Sequence, residues 1–312
     1  MSTAQALSVP QPSALRSFWE FCRPHTIIGT TMAVAVLYVL AVAATGRTDT
    51  VLLIWSYVAA LGVNIYVVGI NQLTDVEIDR INKPYLPLAS GAFSQPTGLC
   101  IVVVALAVSI AVASTQGRFV FGTVLAVFVL GTAYSLPPFR FKERPFWAAS
   151  SITVARALIG NIGGYLHYTD RLSGKPSLPL SVVAFVAFMF VFVIVIAIMK
   201  DVPDIEGDKQ CEVPTLAQRL GVGATLQLCR WILTVACVGF GVISLLASNA
   251  LSPLFVFVTH APVVAAIWIM GRKVDIQNSK SVYDYYMMLW KLYYLEFLAF
   301  PIAVALSRGS LG

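Results

Sequence analysis

The chain has 312 residues, 58% of them hydrophobic and only 12% charged, with a mean hydropathy of +0.81. A soluble domain carries about 25% charged residues, so a soluble globular protein is excluded and a multi-pass membrane protein is indicated. The net charge of +6 then reflects loop topology and an anionic ligand or surface, not nucleic-acid binding.

The first fifteen residues are short, polar and proline-containing. They make neither a signal peptide nor an Arg-rich transit peptide, as expected of a bacterial protein or a mature form. Arg23-Pro24-His25 stands at the entrance to the first charge-free run long enough to span a bilayer, 27–45. A second span over 51–73 contains Asn64 and ends in Asn71-Gln-Leu-Thr-Asp75-Val-Glu-Ile-Asp79, with Lys83 just beyond. Spans over 98–116 and 119–137 follow, then Tyr134 and the basic stretch with Arg140 and Lys142. The fifth span, 147–168, carries Arg156 and three glycines, Gly160, Gly163 and Gly164, that make it flexible. The sixth, 178–199, runs into Lys200-Asp201-Val-Pro-Asp204-Ile-Glu-Gly-Asp208. Spans over 231–248, 251–270 and 285–306 complete nine helices, the last holding Lys291 and Glu296.

Lysine and arginine orient these spans, because loops retained in the cytoplasm are enriched in them. Fourteen lie on the face that takes the N-terminus and the segments after spans 2, 4, 6 and 8. Five, Arg47, Arg118, Arg171, Lys175 and Arg308, lie on the other. Both acidic clusters therefore fall on the expected cytoplasmic face. Spans 1–4 and 5–8 can be laid over each other, since in each half the second span ends in an acidic cluster followed by basic residues. No soluble domain interrupts the chain, so 1–312 reads as a single transmembrane domain.

The clusters carry the chemistry. Asp75 and Asp79, and again Asp204 and Asp208, are four apart and share a helix face. Four convergent carboxylates suggest a hard divalent ion such as Mg²⁺, which keeps waters or takes phosphate oxygens. Asn71 is a neutral ligand one turn earlier. Two pairs facing each other could hold two ions around a diphosphate, with Arg23, Lys83, Arg140, Lys142 and Lys200 as phosphate donors. An isolated acidic pair reads equally well as solvated helix caps; two pairs at equivalent places with basic neighbours do not. Asp201, Tyr134, Arg156, His25 and Asn64 are secondary candidates. Ionisable residues within a span are functional candidates by default, which keeps Lys291 and Glu296 in view. Glu77 and Glu206 point away and read as solvated. His167 and His260 read as interfacial, and the aromatics mostly as lipid-facing or belt residues. Five cysteines (Cys22, Cys100, Cys211, Cys229, Cys237) without a CxxC spacing support neither a disulfide framework nor a zinc site.

Asn71-x3-Asp75-x3-Asp79 with Asp204-x3-Asp208 resembles the paired motif of the UbiA superfamily of intramembrane aromatic prenyltransferases, over essentially the whole chain. Asn71 to Gly91, Arg23 to Thr30 and Lys200 to Asp208 are most similar to the homogentisate prenyltransferase branch, the phytyltransferases above all. The resemblance implies a nine-helix bundle around a central cavity open to lipid, with Mg²⁺ on the two aspartate motifs. It also implies a bacterial inner or thylakoid membrane. The reaction implied is departure of diphosphate from a prenyl donor, attack of the homogentisate ring on the allylic cation, and loss of CO₂. The family's Tyr-x3-Lys element is altered here, since Tyr134 is followed by Arg140 and Lys142 at longer spacing. Other family reactions, with geranylgeranyl or solanesyl donors or chlorophyll synthesis, stay open. So does a transporter, which nine helices and apparent halves also accommodate.

Overall fold

Apolar runs that cross lipid become helices because the bilayer offers backbone N–H and C=O groups no other partners. A computed structural model of the chain describes residues 13–309, and every regular element among them is helical. The first fifteen residues, read as neither a signal nor a transit peptide, fall largely on 1–12, outside the described residues, as does the side chain of Arg308.

In chain order the helices are α1 (Ala14–Phe21), α2 (Pro24–Thr45), α3 (Thr50–Thr74), α4 (Val76–Asn82), α5 (Gln95–Gln116), α6 (Arg118–Ser135), α7 (Pro145–Thr153) and α8 (Gly160–Ser173). There follow α9 (Leu180–Met199), α10 (Ile205–Gln210), α11 (Leu216–Leu220), α12 (Val222–Leu246), α13 (Pro253–Arg272) and α14 (Ser279–Gly309). Their ends carry local stop signals. Asp49 and Ser94 accept hydrogen bonds from Leu52 N (2.9 Å) and Thr97 N (3.2 Å) as N-caps. Gly46 and Gly174 close α2 and α8 at φ of 68° and 73°, a conformation that favours glycine.

Eight helices, α2, α3, α5, α6, α9, α12, α13 and α14, are long and apolar enough to cross a membrane. The expected fifth span differs. It is α7 and α8 joined by a π-helical turn, Val154–Ile159, and neither half alone reaches spanning length. The dihedrals stay helical through the junction (Val154 −63°, −46°; Gly160 −62°, −47°), so the rod is continuous over 145–173. Two boundaries also move. α12 begins at Val222, not 231, because the Arg230 guanidinium stacks on Trp268 at 5.3 Å and does not end the helix. α14 begins at Ser279, six residues early, where Lys280 and Asp284 pair one turn apart at 2.8 Å.

Helix α9 is the most buried of the spanning helices and packs against α7, α12 and α14. Its run of Met189, Phe192, Val193 and Val195 is fully enclosed by protein, which explains why it is apolar all round. Elsewhere small residues bring helices together, as expected where lipid supplies no hydrophobic drive between them. Ser109 donates to Ala59 O at 2.6 Å across α5 and α3. Gly163 is a packing residue, not the source of flexibility expected from sequence, because a Cβ there would collide with Thr123 of α6. Gly163→Leu is expected to cost about 1–3 kcal/mol, read as a lowered melting temperature in detergent. An unchanged melting temperature would show that the contact tolerates volume.

The two histidines expected at the interface are buried. His167 shares a 2.8 Å hydrogen bond with Ser56, and His260 on α13 lies 3.3 Å from Glu296 on α14. Polar side chains inside a membrane bundle turn toward one another because lipid cannot satisfy them. Lys291, by contrast, is exposed.

Candidate functional site

Both acidic segments sit where a spanning helix stops and a short one begins, at the same end of the bundle. Helix α3 ends at Asp75 (φ −118°, ψ 17°), and α4 restarts immediately. Asp79 N then donates to Asp75 O and Lys83 N to Asp79 O, both at 2.7 Å, so the three side chains leave one face. Helix α9 ends at Lys200, Pro203 interrupts the backbone ladder, and α10 starts after Asp204 with Asp208 N donating to Asp204 O at 3.1 Å. The pairs thus lie on short helices beyond a break, not on the ends of the spans themselves. The two halves repeat this device, as their matching sequence positions suggest.

The segments are tied together by a bond that the sequence did not announce. Asn82, the last residue of α4, accepts from Gly207 N at 2.9 Å. A Cβ at 207 would overlap the Asn82 side chain, so glycine permits the approach. Asn82→Ala is expected to lower turnover about tenfold with the melting temperature preserved, because it frees α10 from α4. Unchanged turnover would show that the tie does not set the site.

Charge pairing dominates the local electrostatics. Lys83 binds Asp204 closely and lies 3.9 Å from Asp79. Arg23 Nη2 lies 3.8 Å from Asp79 Oδ2. Lys142 binds Asp75 closely and donates to Thr74 Oγ1 at 2.7 Å, so it stands against the first motif despite the longer spacing from Tyr134. Asn71 Nδ2 donates to Asp75 Oδ2 at 2.7 Å, and Lys200 pairs with Asp201 at 2.7 Å. The expected convergence of four carboxylates is therefore absent. Among the described residues no three His, Cys, Asp or Glu side chains are grouped to hold an ion; Asp75, Asp79, Asp201 and Asp204 instead turn to ammonium or guanidinium groups, as charges do in a medium of low dielectric. Burial pushes the Asp79 carboxyl up, with Arg23 and Lys83 opposing. Burial, with Asp204 adding to it, pushes Asp208 to about 7. Burial lowers Lys142 despite Asp75.

Part of this set borders a cavity of about 300 Å³. Arg23, Asn71, Lys83, Lys200 and Asp204 line its mouth; His25, Tyr134 and Arg156 line its wall. A vestibule of about 700 Å³ opens outside it, sharing Lys83 and Asp204 and adding Arg16 and Lys280. Deeper in the bundle a cavity of about 230 Å³ shares Val67, Val127, Ile152, Ala155 and Arg156 with the first and includes Asn64. Asp75, Asp79, Asp201, Asp208 and Lys142 do not line the first cavity; Lys142 and Asp75 face each other beside it. Arg140 is not brought in: it pairs with Glu143 at 3.0 Å. Glu77 and Glu206 are exposed, as expected.

Aromatic residues of α14 were missed. Tyr286 and Trp290 line the cavity and are 6% and 3% exposed, so they are not lipid-facing. The density of rings over 283–294 marks the segment in the sequence, but not which face of it is interior.

The donor chemistry suits a hard cation. Asn71, Asp75, Asp79, Asp204 and Asp208 offer oxygen, and Asp79 Oδ2 is buried without a hydrogen bond, a lone pair left for a cation to take.

The chain is similar to known proteins over most of its length. The family model described as UbiA prenyltransferase family matches residues 31–292. The homogentisate phytyltransferase of Synechocystis sp. is 37% identical over 303 residues, covering 96% of this chain and 98% of that protein. The homogentisate geranylgeranyltransferase of Triticum aestivum is 37% identical over 294 residues, covering 92% of this chain and 72% of that protein. Among solved structures, a UbiA homolog from Archaeoglobus fulgidus bound to GPP and Mg²⁺ superposes with a TM-score of 0.65 at 18% identity, covering 91% of this chain and 99% of that one.

Proposed function

Because the chain belongs to the UbiA prenyltransferase family, we propose that it transfers a phytyl group from phytyl diphosphate to homogentisate with loss of CO₂, giving 2-methyl-6-phytylbenzoquinol, a step toward tocopherol. One observation carries the reading: paired acidic turns and a set of cations meet at the mouth of a cavity that continues into an apolar interior. Arg23, Lys83 and Lys200 hold the donor diphosphate there, with Lys142 beside Asp75. Asn71, Asp75, Asp79, Asp204 and Asp208 are the residues that would hold Mg²⁺, two ions by their number. Held there, the metal would supply positive charge to neutralise the departing diphosphate. The apolar walls (Val67, Val127, Ile152) receive the isoprenoid tail and keep water from the reacting carbon. The excess of lysine and arginine at this end supports a cytoplasmic location for the site.

A second reading, transfer of a geranylgeranyl or longer prenyl group, is favoured by the Triticum aestivum relative, which is also 37% identical. The deciding experiment supplies the purified protein in detergent with labelled homogentisate, Mg²⁺ and phytyl, geranylgeranyl or solanesyl diphosphate. Products are identified by mass spectrometry. Phytylated product, lost on addition of EDTA, is expected. Preference for another donor selects the second reading. Absence of product with every donor overturns both. Product formation without any transmembrane gradient disposes of a transporter.

A further inference from the structure

Arg156 is the cation that donor binding leaves unexplained. It sits in the π-helical turn and, unlike Arg23, Lys83 and Lys200, lines both the upper and the deeper cavity. The residue of α3 that lines both cavities with it is Val67, one helical turn (about 6 Å) along α3 from Asn71. Among the described residues Arg156 has no acidic ion-pair partner. An unpaired guanidinium inside a membrane bundle is costly and calls for an anion.

The surroundings select which anion. The guanidinium carbon lies 5.1 Å from the centre of the Trp290 ring, and the Tyr293 hydroxyl is within interaction range. Gly29 of α2 leaves the space they occupy: a Cβ there would stand 3.3 Å from both Arg156 Nη1 and Trp290. The His25 ring packs edge-on against Trp290 at 5.0 Å. A fixed planar guanidinium beside a wall of rings suits a single carboxylate carried on an aromatic ring, held through two parallel hydrogen bonds. An isoprenoid tail needs no such group, and a diphosphate already meets three cations at the mouth.

We infer that Arg156 binds the carboxylate of the aromatic acceptor, forming an arylacetate subsite between the diphosphate mouth and the deeper cavity. The inference rests on the proposed reaction, since it takes homogentisate as the acceptor. The π turn has a use in this arrangement, because it brings the Arg156 side chain onto the cavity wall. Such turns interrupt helices chiefly at functional sites.

The test compares full-length wild type with Arg156→Gln and Arg156→Lys. The Gln variant is expected to raise the KM for homogentisate about 30-fold while the KM for phytyl diphosphate stays within about twofold, with Lys recovering part of the loss. A rise in the donor KM, or no rise in the acceptor KM, overturns the assignment. A wild-type arm removes dependence on folding of the variants. The unreactive acid 2,5-dimethoxyphenylacetate is expected to compete with homogentisate about 30-fold more strongly than its amide; equal inhibition overturns the assignment. If wild type alkylates no homogentisate with any donor, the reaction itself is refuted. If it does and these contrasts are missing, only the Arg156 subsite falls.

Discussion

Asp204→Asn is expected to lower turnover by about 10²–10³-fold and leave the fold in place. Asp204 is 7% exposed, lines the cavity mouth and faces Lys83. Its side chain makes no capping hydrogen bond to α10, and asparagine is as good an N-cap as aspartate, so the short helix does not depend on the charge. What the substitution removes is one negative charge from the set offered to a divalent cation, and the counter-charge that positions Lys83. Asp75→Asn should behave alike, since Lys142 and Asn71 both bind that carboxylate. Glu206→Gln is the control: it lies two residues from Asp204 but is exposed, and turnover should stay near wild type. Product formation and diphosphate release are measured in parallel with detergent melting. Near-wild-type turnover in both aspartate variants would refute the metal role of these segments.

Arg23→Met is expected to reduce stability as well as activity, by about 2 kcal/mol. Breaking a buried pair by removing one partner typically costs about 3–5 kcal/mol. The value here is lower because Asp79 keeps Lys83 at 3.9 Å. Arg23 and Asp79 side chains are 16% and 6% exposed, so solvent screens the loss weakly. The Asp79 carboxyl, already raised by burial, would be left with one cation in place of two. Arg23 occupies a left-handed conformation at φ 52°, and methionine meets the same backbone cost, so the substitution isolates the charge. The double variant Arg23→Met/Asp79→Leu should recover the melting temperature, since no buried charge is stranded, and stay inactive. A double variant less stable than Arg23→Met alone, or an active one, would show that the pair serves neither purpose.

Much of this molecule is legible in its sequence. The long helices follow from apolar runs, because partition between water and lipid is a property of each segment taken alone. Asp75, Asp79, Asp204 and Asp208 stand out because a charge beside a span is costly without a partner. The basic stretch after Tyr134 is legible as a neighbour of the acidic clusters, with Lys142 and Arg140 as alternatives, and of the two it is Lys142 that binds Asp75.

Other features were not legible. Arg140 looks equivalent to Lys142 in sequence, yet it pairs with Glu143; which of two neighbouring cations turns inward depends on the loop path. The π turn leaves no compositional mark, because its residues are ordinary helix formers displaced by one backbone register. The aromatic run of α14 cannot be assigned to lipid or interior without knowing which face meets α2 and α9. The link between Asn82 and Gly207 joins residues 125 apart in the chain.

The sequence by itself determined the approximate number and extent of the membrane helices and the end of the bundle that carries the acidic turns. Only the tertiary structure decided the partner of each carboxylate. It alone set Arg156 against Trp290 at the junction of two cavities. The physical reason is one of range. Hydropathy and helix termination act within a turn or two of the chain, whereas ion pairs and cavity walls form between helices whose relative rotation no local pattern specifies.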